Sequence, residues 1–138
     1  MTIRTAPKHR KAQSTTQLRK TAWRAFSELT RRKAKGVCYT CGKVNDWKSC
    51  NAGHFVHRDC LDFDERNIKN QCVGCNMFRH GNSIAFAVHL EADYGHGILQ
   101  ELKSLADKGH NWKVDELKEL IARYKKELAK LQTTHVSY

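Results

Sequence analysis

Several things are scarce in this sequence, and each scarcity excludes a class of protein. No run approaches the ~20 apolar residues of a membrane-spanning helix, so no span is expected. The first residues lack the apolar core of a secretory signal, so an oxidising destination is not expected either. There is one proline, no low-complexity run and no internal repeat beyond two Cys-x-x-Cys knuckles, which argues against proline-rich linkers and repeat arrays. Acidic residues are nearly missing from residues 1–35, where Glu28 stands alone against eleven Lys and Arg. At 138 residues the chain is one domain's worth, too short for a multidomain enzyme or a large cofactor-binding fold.

What is present begins with charge. The formal net charge is +11, and all but one of those charges fall in residues 1–35, leaving a nearly neutral body. A basic block attracts polyanions, nucleic acid foremost and anionic membrane second; the plainer alternative is a solvated tail. Six cysteines in a reducing compartment read as metal ligands before disulfides.

The chain divides into four segments. Residues 1–16 are polar, basic and almost without large apolar groups, so they form a flexible arm whose Ser14, Thr15 or Thr16 can cap the helix after it. Residues 17–35 carry Leu18, Ala22, Ala25, Phe26 and Leu29 at helical steps, with Trp23 beside the stripe and Gly36 as a stop. Arg19, Lys20, Arg24, Arg31, Arg32 and Lys33 populate its other faces, either solvated or set against phosphates. Residues 36–90 crowd Cys, His, Gly and Asn, with strand-like pieces around Cys50–Val56 and a largely helical stretch from Asn76 to Leu90, weakened at Gly81 and Asn82. Residues 91–138 hold helices over 97–108 and 114–131. In the second, Val114, Leu117, Ile121, Tyr124, Leu128 and Leu131 step by threes and fours, a stripe that either packs on its own domain or forms a dimer seam.

Cys38-x-x-Cys41 and Cys72-x-x-Cys75 stand 30 residues apart. Two such turns can close four thiolates around Zn²⁺, and with sulfur at every position the zinc is structural. A redox role is the alternative for either pair alone. The insertion between the knuckles is large enough to carry function. It contains His54 and Asn67; Asn76 follows Cys75, and His80 comes four residues later. On one helix Asn76 and His80 share a face and could offer an oxygen and a nitrogen to a divalent metal. A nuclease needs such parts: a metal that polarises the phosphate, an imidazole that takes a proton from water, and a short polar side chain that orients it.

These residues carry a resemblance. Cys-x-x-Cys, a Gly-His, then Asn-x-x-x-x-Cys-x-x-Cys-Asn resembles the zinc-stapled branch of the HNH (His-Me finger) endonucleases, which includes phage endonuclease VII. Ala22–Ser27, Cys38-Tyr39-Thr40-Cys41-Gly42, Ala52-Gly53-His54-Phe55, Asn67–Asn76, Gly81-Asn82 and Tyr94-Gly95 are similar to the NinG (Rap) family of lambdoid phage recombination proteins. The resemblance covers roughly residues 20–130. It implies an α+β fold: a zinc-stapled ββα-metal core, with a hairpin near His54 and a helix from Asn76 across it, flanked by the basic helix and the C-terminal helices. It implies His54 as general base, Asn67 as the residue holding the hairpin, and Asn76 as metal ligand with His80 as a further one. It implies Mg²⁺- or Mn²⁺-dependent cleavage of branched DNA, such as Holliday junctions or D-loops, in the cytoplasm of a phage-infected bacterium, with no membrane and no small-molecule substrate. Paired incision of a junction needs two active sites, hence a homodimer.

One departure stands out. Relatives place an Asp just before the catalytic His or a few residues upstream; here Gly53 and Asn51 occupy those positions. Asn51 supplies an oxygen without charge, and Asp46, Asp59, Asp62 and Asp64 are the nearby carboxylates. Arg58, Lys69 and Arg79 are phosphate-contact candidates or solvated surface residues, and His57 is read as a bystander. Cys50 and Cys60 are small inert thiols, or a disulfide if the hairpin joins them. Trp47, Phe55, Phe63, Phe78 and Phe86 are read as core residues, with base stacking by one of them as the alternative. Two other readings compete with the nuclease: a zinc-stapled DNA-binding module without turnover, and an RNA-binding factor.

Overall fold

The computed structural model describes residues 13–133. Most of the basic arm, residues 1–12, lies outside them. The elements run α1 (Thr15–Lys33), β1 (Asn51–His54), β2 (Ile68–Gln71), a π-helical turn over Gly74–Phe78, α2 (Ser83–Tyr94), α3 (Ile98–Lys108) and α4 (Val114–Thr133), with short 3-10 turns before and after β1. The fold is mixed α+β, built on a two-stranded sheet.

Helix α1 starts two residues earlier than the apolar pattern alone indicates, so Thr15 and Thr16 belong to it rather than to the arm. A capping box sets its start. Ser14 Oγ accepts from the Gln17 N–H at 3.2 Å, and Gln17 Oε1 accepts from the Ser14 N–H at 3.2 Å. That satisfies two amides that the first turn leaves without helical partners. Arg31, Arg32 and Lys33 sit in its last turn, against the negative end of the helix dipole. Gly36 ends it in a left-handed conformation (φ 76°), and a methyl there would fall 1.7 Å from the Asn45 carbonyl oxygen, so only glycine fits.

β1 and β2 pair antiparallel, with Asn51 opposite Gln71, Ala52 opposite Asn70, Gly53 opposite Lys69 and His54 opposite Ile68. The two-residue period of a strand divides them. Ala52, His54 and Ile68 face α1, where Ile68 and Ala52 join the apolar cluster and the Trp23 ring lies on His54. Asn51, Gly53, Lys69 and Gln71 take the other face. Gly53 is required there, since a methyl would come within 1.9 Å of the buried Gln71 Oε1.

Two apolar clusters hold the chain. The first joins α1, the sheet and α4 through Leu18, Ala22, Phe26, Leu29, Ile68, Leu117 and Tyr124. Phe26 stacks on Tyr124 with ring centroids 4.9 Å apart. All six residues of the α4 stripe belong to this cluster, so the stripe packs on its own domain and is not left as a dimer seam. Burying one such leucine contributes about 1.5–3 kcal/mol. The second cluster joins α2 and α3 through Phe86, Leu90, Ile98, Leu102 and Ala106, with Leu61, Tyr39 and Phe55.

The expected helix from Asn76 to Leu90 is broken. The chain makes a π-helical turn over Gly74–Phe78, then turns through His80, Gly81 and Asn82, all with positive φ (50°, 84° and 47°), before α2 begins. The turn is tied to the second knuckle and to β2: Gly81 N–H donates to the Cys75 carbonyl, and the Gly81 carbonyl accepts from Gln71 Nε2 at 2.8 Å. The aromatic core set also needs one correction. Phe63 and Phe86 are buried and Phe55 and Trp47 half-buried, but Phe78 is 79% exposed.

Candidate functional site

The two knuckles meet. The sulfurs of Cys38, Cys41, Cys72 and Cys75 all lie within 4.8 Å of one another, and Cys41 Sγ is 3.7 Å from Cys72 Sγ. A tetrahedral zinc with Zn–S bonds of about 2.3 Å has sulfurs about 3.8 Å apart, so the residues fit a metal ion such as Zn²⁺. Donors surround the sulfurs. The Cys75 N–H reaches Cys72 Sγ at 3.4 Å, Asn82 Nδ2 reaches Cys75 Sγ at 3.6 Å, and the Thr40 hydroxyl lies 3.4 Å from Cys38 Sγ. Burial pushes the Cys38 thiol up, but Thr40 and neighbouring backbone groups outweigh it and bring it down to about 6. Burial likewise opposes Cys75, which hydrogen bonds from Thr40 and Asn82 hold below its ordinary value. Burial keeps Cys72 above its own. The donors thus favour the thiolate at Cys38 and Cys75, while Cys72 stays up and Cys41 is pushed up to about 12. Cys50 and Cys60 are free thiols outside this set: Cys50 is buried with its S–H toward the Gly36 carbonyl at 3.7 Å, and Cys60 points at the Leu105 carbonyl at 3.8 Å.

Across the hairpin, His54 closes β1 and looks into an open cleft of about 350 Å³ lined by Trp23, His57, Arg58, Asp59 and Asp62. Its Nε2 lies 2.9 Å from Asp62 Oδ1, and both side chains are only about one-fifth exposed (23% and 20%). Trp23 stacks on the imidazole at 4.9 Å with an interplanar angle of 22°, and the His57 ring lies near-parallel to it at 5.6 Å. Arg19 reaches Asp59 at 3.2 Å and Asp62 at 3.6 Å, so helix α1 braces the carboxylate that holds the histidine. Asn67, fully buried, pins the loop after β1: its Oδ1 accepts from the Val56 N–H at 2.8 Å, and its Nδ2 donates to the Val56 and Leu61 carbonyls at 3.0 and 3.3 Å. Among the nearby carboxylates, Asp46 caps a 3-10 turn and Asp64 is bound by Arg66 at 2.8 Å, which leaves Asp59 and Asp62 at the cleft.

The remaining expected metal ligands divide. Asn76 brings Oδ1 to the backbone at Gly53, 3.1 Å from where a side-chain carbon would begin, next to His54 in sequence. Asn51 stands on that same face of β1 by strand period. Gln71 Oε1 is there too, buried and without a hydrogen-bond partner among the described residues. These are oxygens of the type hard cations take, but all are neutral. His80 does not join Asn76. The break after Phe78 removes the shared helical face, and His80 is exposed in a left-handed turn.

The basic residues divide as well. Lys20, Arg24, Lys33, Arg58 and Arg79 are exposed. Lys20, Trp23, Arg24, Ser27 and Arg31 line a groove of about 350 Å³, and Trp23 also borders the His54 cleft. Arg31 donates to the Trp47 carbonyl at 3.3 Å, and Arg32 pairs with Glu28 and lies 4.3 Å over the Trp47 ring. Arg19 is taken up by its two aspartates, and Lys69 donates to the Tyr94 hydroxyl at 2.6 Å. Sequence reasoning did not anticipate that Trp23 and Arg19 would build the histidine site, because nothing local relates residues 19–23 to residues 54–62.

The match to known proteins decides the family. The family model described as Bacteriophage Lambda NinG protein matches residues 3–134. The chain belongs to the NinG family. Protein ninG of Escherichia phage 933W is 31% identical over 119 residues, covering 83% of this chain and 58% of that protein. Protein ninG of Escherichia phage lambda is 30% identical, covering 83% and 57%, and Protein ninG of Salmonella phage P22 is 32% identical over 117 residues, covering 82% and 57%. This NinG-family chain thus spans less than two thirds of the length of the curated relatives it matches. No solved structure matches it, and no helix among its described residues is long and apolar enough to cross a membrane.

Proposed function

We propose that this NinG-family chain is a metal-dependent, HNH-type endonuclease that cleaves branched DNA during phage recombination, with His54 as its general base. The observation that carries the reading is the His54–Asp62 contact at 2.9 Å in an open cleft beside Arg58. A carboxylate at Nε2 favours the tautomer with hydrogen there, leaving the Nδ1 lone pair to take a proton from water. Trp23 on one side and Asn67 beneath hold the ring and its loop in place. Arg58 offers a planar fork to a phosphate at the rim. A divalent ion, Mg²⁺ or Mn²⁺, would supply polarisation of the scissile phosphate in the His54 cleft, where Asp59 is the carboxylate that would hold it; Asn51 and the Asn76 oxygen, on the opposite face of the hairpin, would not reach it. The groove of Lys20, Arg24 and Arg31 leads to the cleft past Trp23 and suits a phosphate backbone. The cysteine cluster would act as a zinc staple beneath the hairpin, and the site of action would be the cytoplasm of the infected bacterium.

Four-way, Y-form and linear duplex DNA incubated with the protein, with and without Mg²⁺ or Mn²⁺, tests the reading. Nicking of branched substrates that needs the ion and vanishes in His54→Ala is the expected result. Undiminished cutting by folded His54→Ala protein would remove the base assignment. A second reading, a zinc-stapled DNA-binding module without turnover, is favoured by the neutral oxygens around Gly53. It expects salt-sensitive binding and no product on any substrate.

A further inference from the structure

Helix α2 turns Phe86 and Leu90 inward and leaves an unpartnered stripe outward. Ile84 is 82% exposed, Val88 61% exposed, and Ala92 follows four residues on. The turn just before the helix adds Phe78, 79% exposed, and Met77, 63% exposed. Large apolar side chains exposed together along one helix face of a small domain mark an interaction site. The distribution of charge says what it fits. In a chain of net charge +11, α2 contains neither Lys nor Arg; of its two acids, Asp93 turns to the Tyr39 hydroxyl and accepts from it at 2.6 Å, while Glu91 stands beside the outward stripe in the last turn. The exposed Arg79 and the imidazole of His80 stand at the opposite end, just before the helix starts. A polyanion would meet acid at one end of this surface; a second copy of the same surface, turned antiparallel, would not.

We infer that two copies of the chain pair through α2 about a two-fold axis near Val88. Such an interface is isologous, each copy contributing the same residues. α2 has 12 residues, about 18 Å of helix, with Val88 near its middle. Antiparallel pairing therefore sets Val88 against Val88 and Ile84 near Ala92 of the second copy. It also brings the Arg79 end of each copy beside the Glu91 end of the other, so apolar pattern and charge agree on one arrangement. The α4 stripe, the alternative seam, is consumed against α1. This inference stands independently of the nuclease reading.

Sedimentation velocity of the purified full chain over about 1–100 µM tests it. A monomer–dimer equilibrium is expected. Val88→Glu should weaken it by at least about tenfold, because two like charges would face each other across the axis. Arg79→Glu should also weaken it, and the double variant Arg79→Glu/Glu91→Arg should restore it, which a merely destabilised fold would not do. Val88, Arg79 and Glu91 lie on the outer surface, and circular dichroism checks that each variant folds. Wild-type protein that stays monomeric across the range, or a Val88→Glu dimer as tight as wild type, would overturn the inference. So would monomeric wild type whose binding to single-stranded DNA is lost in Val88→Glu, since the face would then serve bases.

Discussion

Replacing Asp62 by Asn removes the negative charge that meets His54 Nε2 at 2.9 Å while keeping the side chain's shape. Both partners are about four-fifths shielded from water. A hydrogen bond to a charged group is worth about 1.5–3 kcal/mol, and the residual exposure of this pair places it at the lower end, about 1.5–2 kcal/mol. At 1.36 kcal/mol per factor of ten in rate, single-turnover cleavage of a four-way junction should slow by about 10–30-fold if His54 is the base. Asp62→Ala, which also removes the acceptor, should slow it at least as much. DNA affinity separates this effect from binding. Losing an acidic residue beside a basic groove leaves affinity for a polyanion equal or tighter, so slower cutting with undiminished binding locates the effect in the chemistry. Arg19 keeps its contact with Asp59 at 3.2 Å, so the helix stays braced. Nitrogen NMR of the imidazole adds a readout independent of turnover: wild-type His54 should carry its hydrogen on Nε2. Wild-type cleavage rates in both variants, or a neutral His54 with its hydrogen on Nδ1, would refute the reasoning.

The other expectations concern the fold. Gly53→Ala should destabilise the protein by about 1–3 kcal/mol in urea unfolding, because the new methyl meets buried Gln71 Oε1 at 1.9 Å; Gly42→Ala, where a methyl meets nothing, supplies a control for space though not for its positive φ. Native mass spectrometry should find one zinc per chain, and chelation should lower Tm by about 10 °C or more, since a structural zinc typically contributes several kcal/mol to folding; an unchanged Tm and no bound metal would exclude the staple. Burial alone would raise the Asp64 carboxyl, but Arg66 outweighs it and holds the carboxyl below its usual range. The lowered value means that the stabilisation from Asp64 is full above the ordinary carboxylate range and is lost as pH falls through the folded value. Asp64→Asn should therefore flatten the fall in stability on acidification, measured by denaturant melts from pH 6 down to pH 3.

Residue pattern alone was enough for the cysteine cluster, the family and most of the helices. Four cysteines in two knuckles have little to do in a small domain except meet, and their sulfurs do meet within 4.8 Å. The three- and four-residue stripes of α1, α3 and α4 are local patterns, and a local pattern is enough to place a helix. The family resemblance singled out Asn67, and its buried side chain bonds Val56 and Leu61 in the loop after β1. Long-range packing settled the rest, because the rest depends on residues far apart in the chain. Whether the α4 stripe met its own domain or a second chain depended on the fit of Tyr124 against Phe26, 98 positions away. The continuous helix expected from Asn76 failed at His80–Asn82, where the chain turns so that the Gly81 carbonyl meets Gln71 and Asn82 meets the Cys75 sulfur, long-range contacts that outweigh local helical preference. The carboxylate that contacts His54 is Asp62, eight residues along and across a loop, with Arg19 of the first helix 3.6 Å from it. A histidine's neighbours in space set its tautomer and orientation, and no periodicity along a chain records which distant carboxylate or indole will stand beside it.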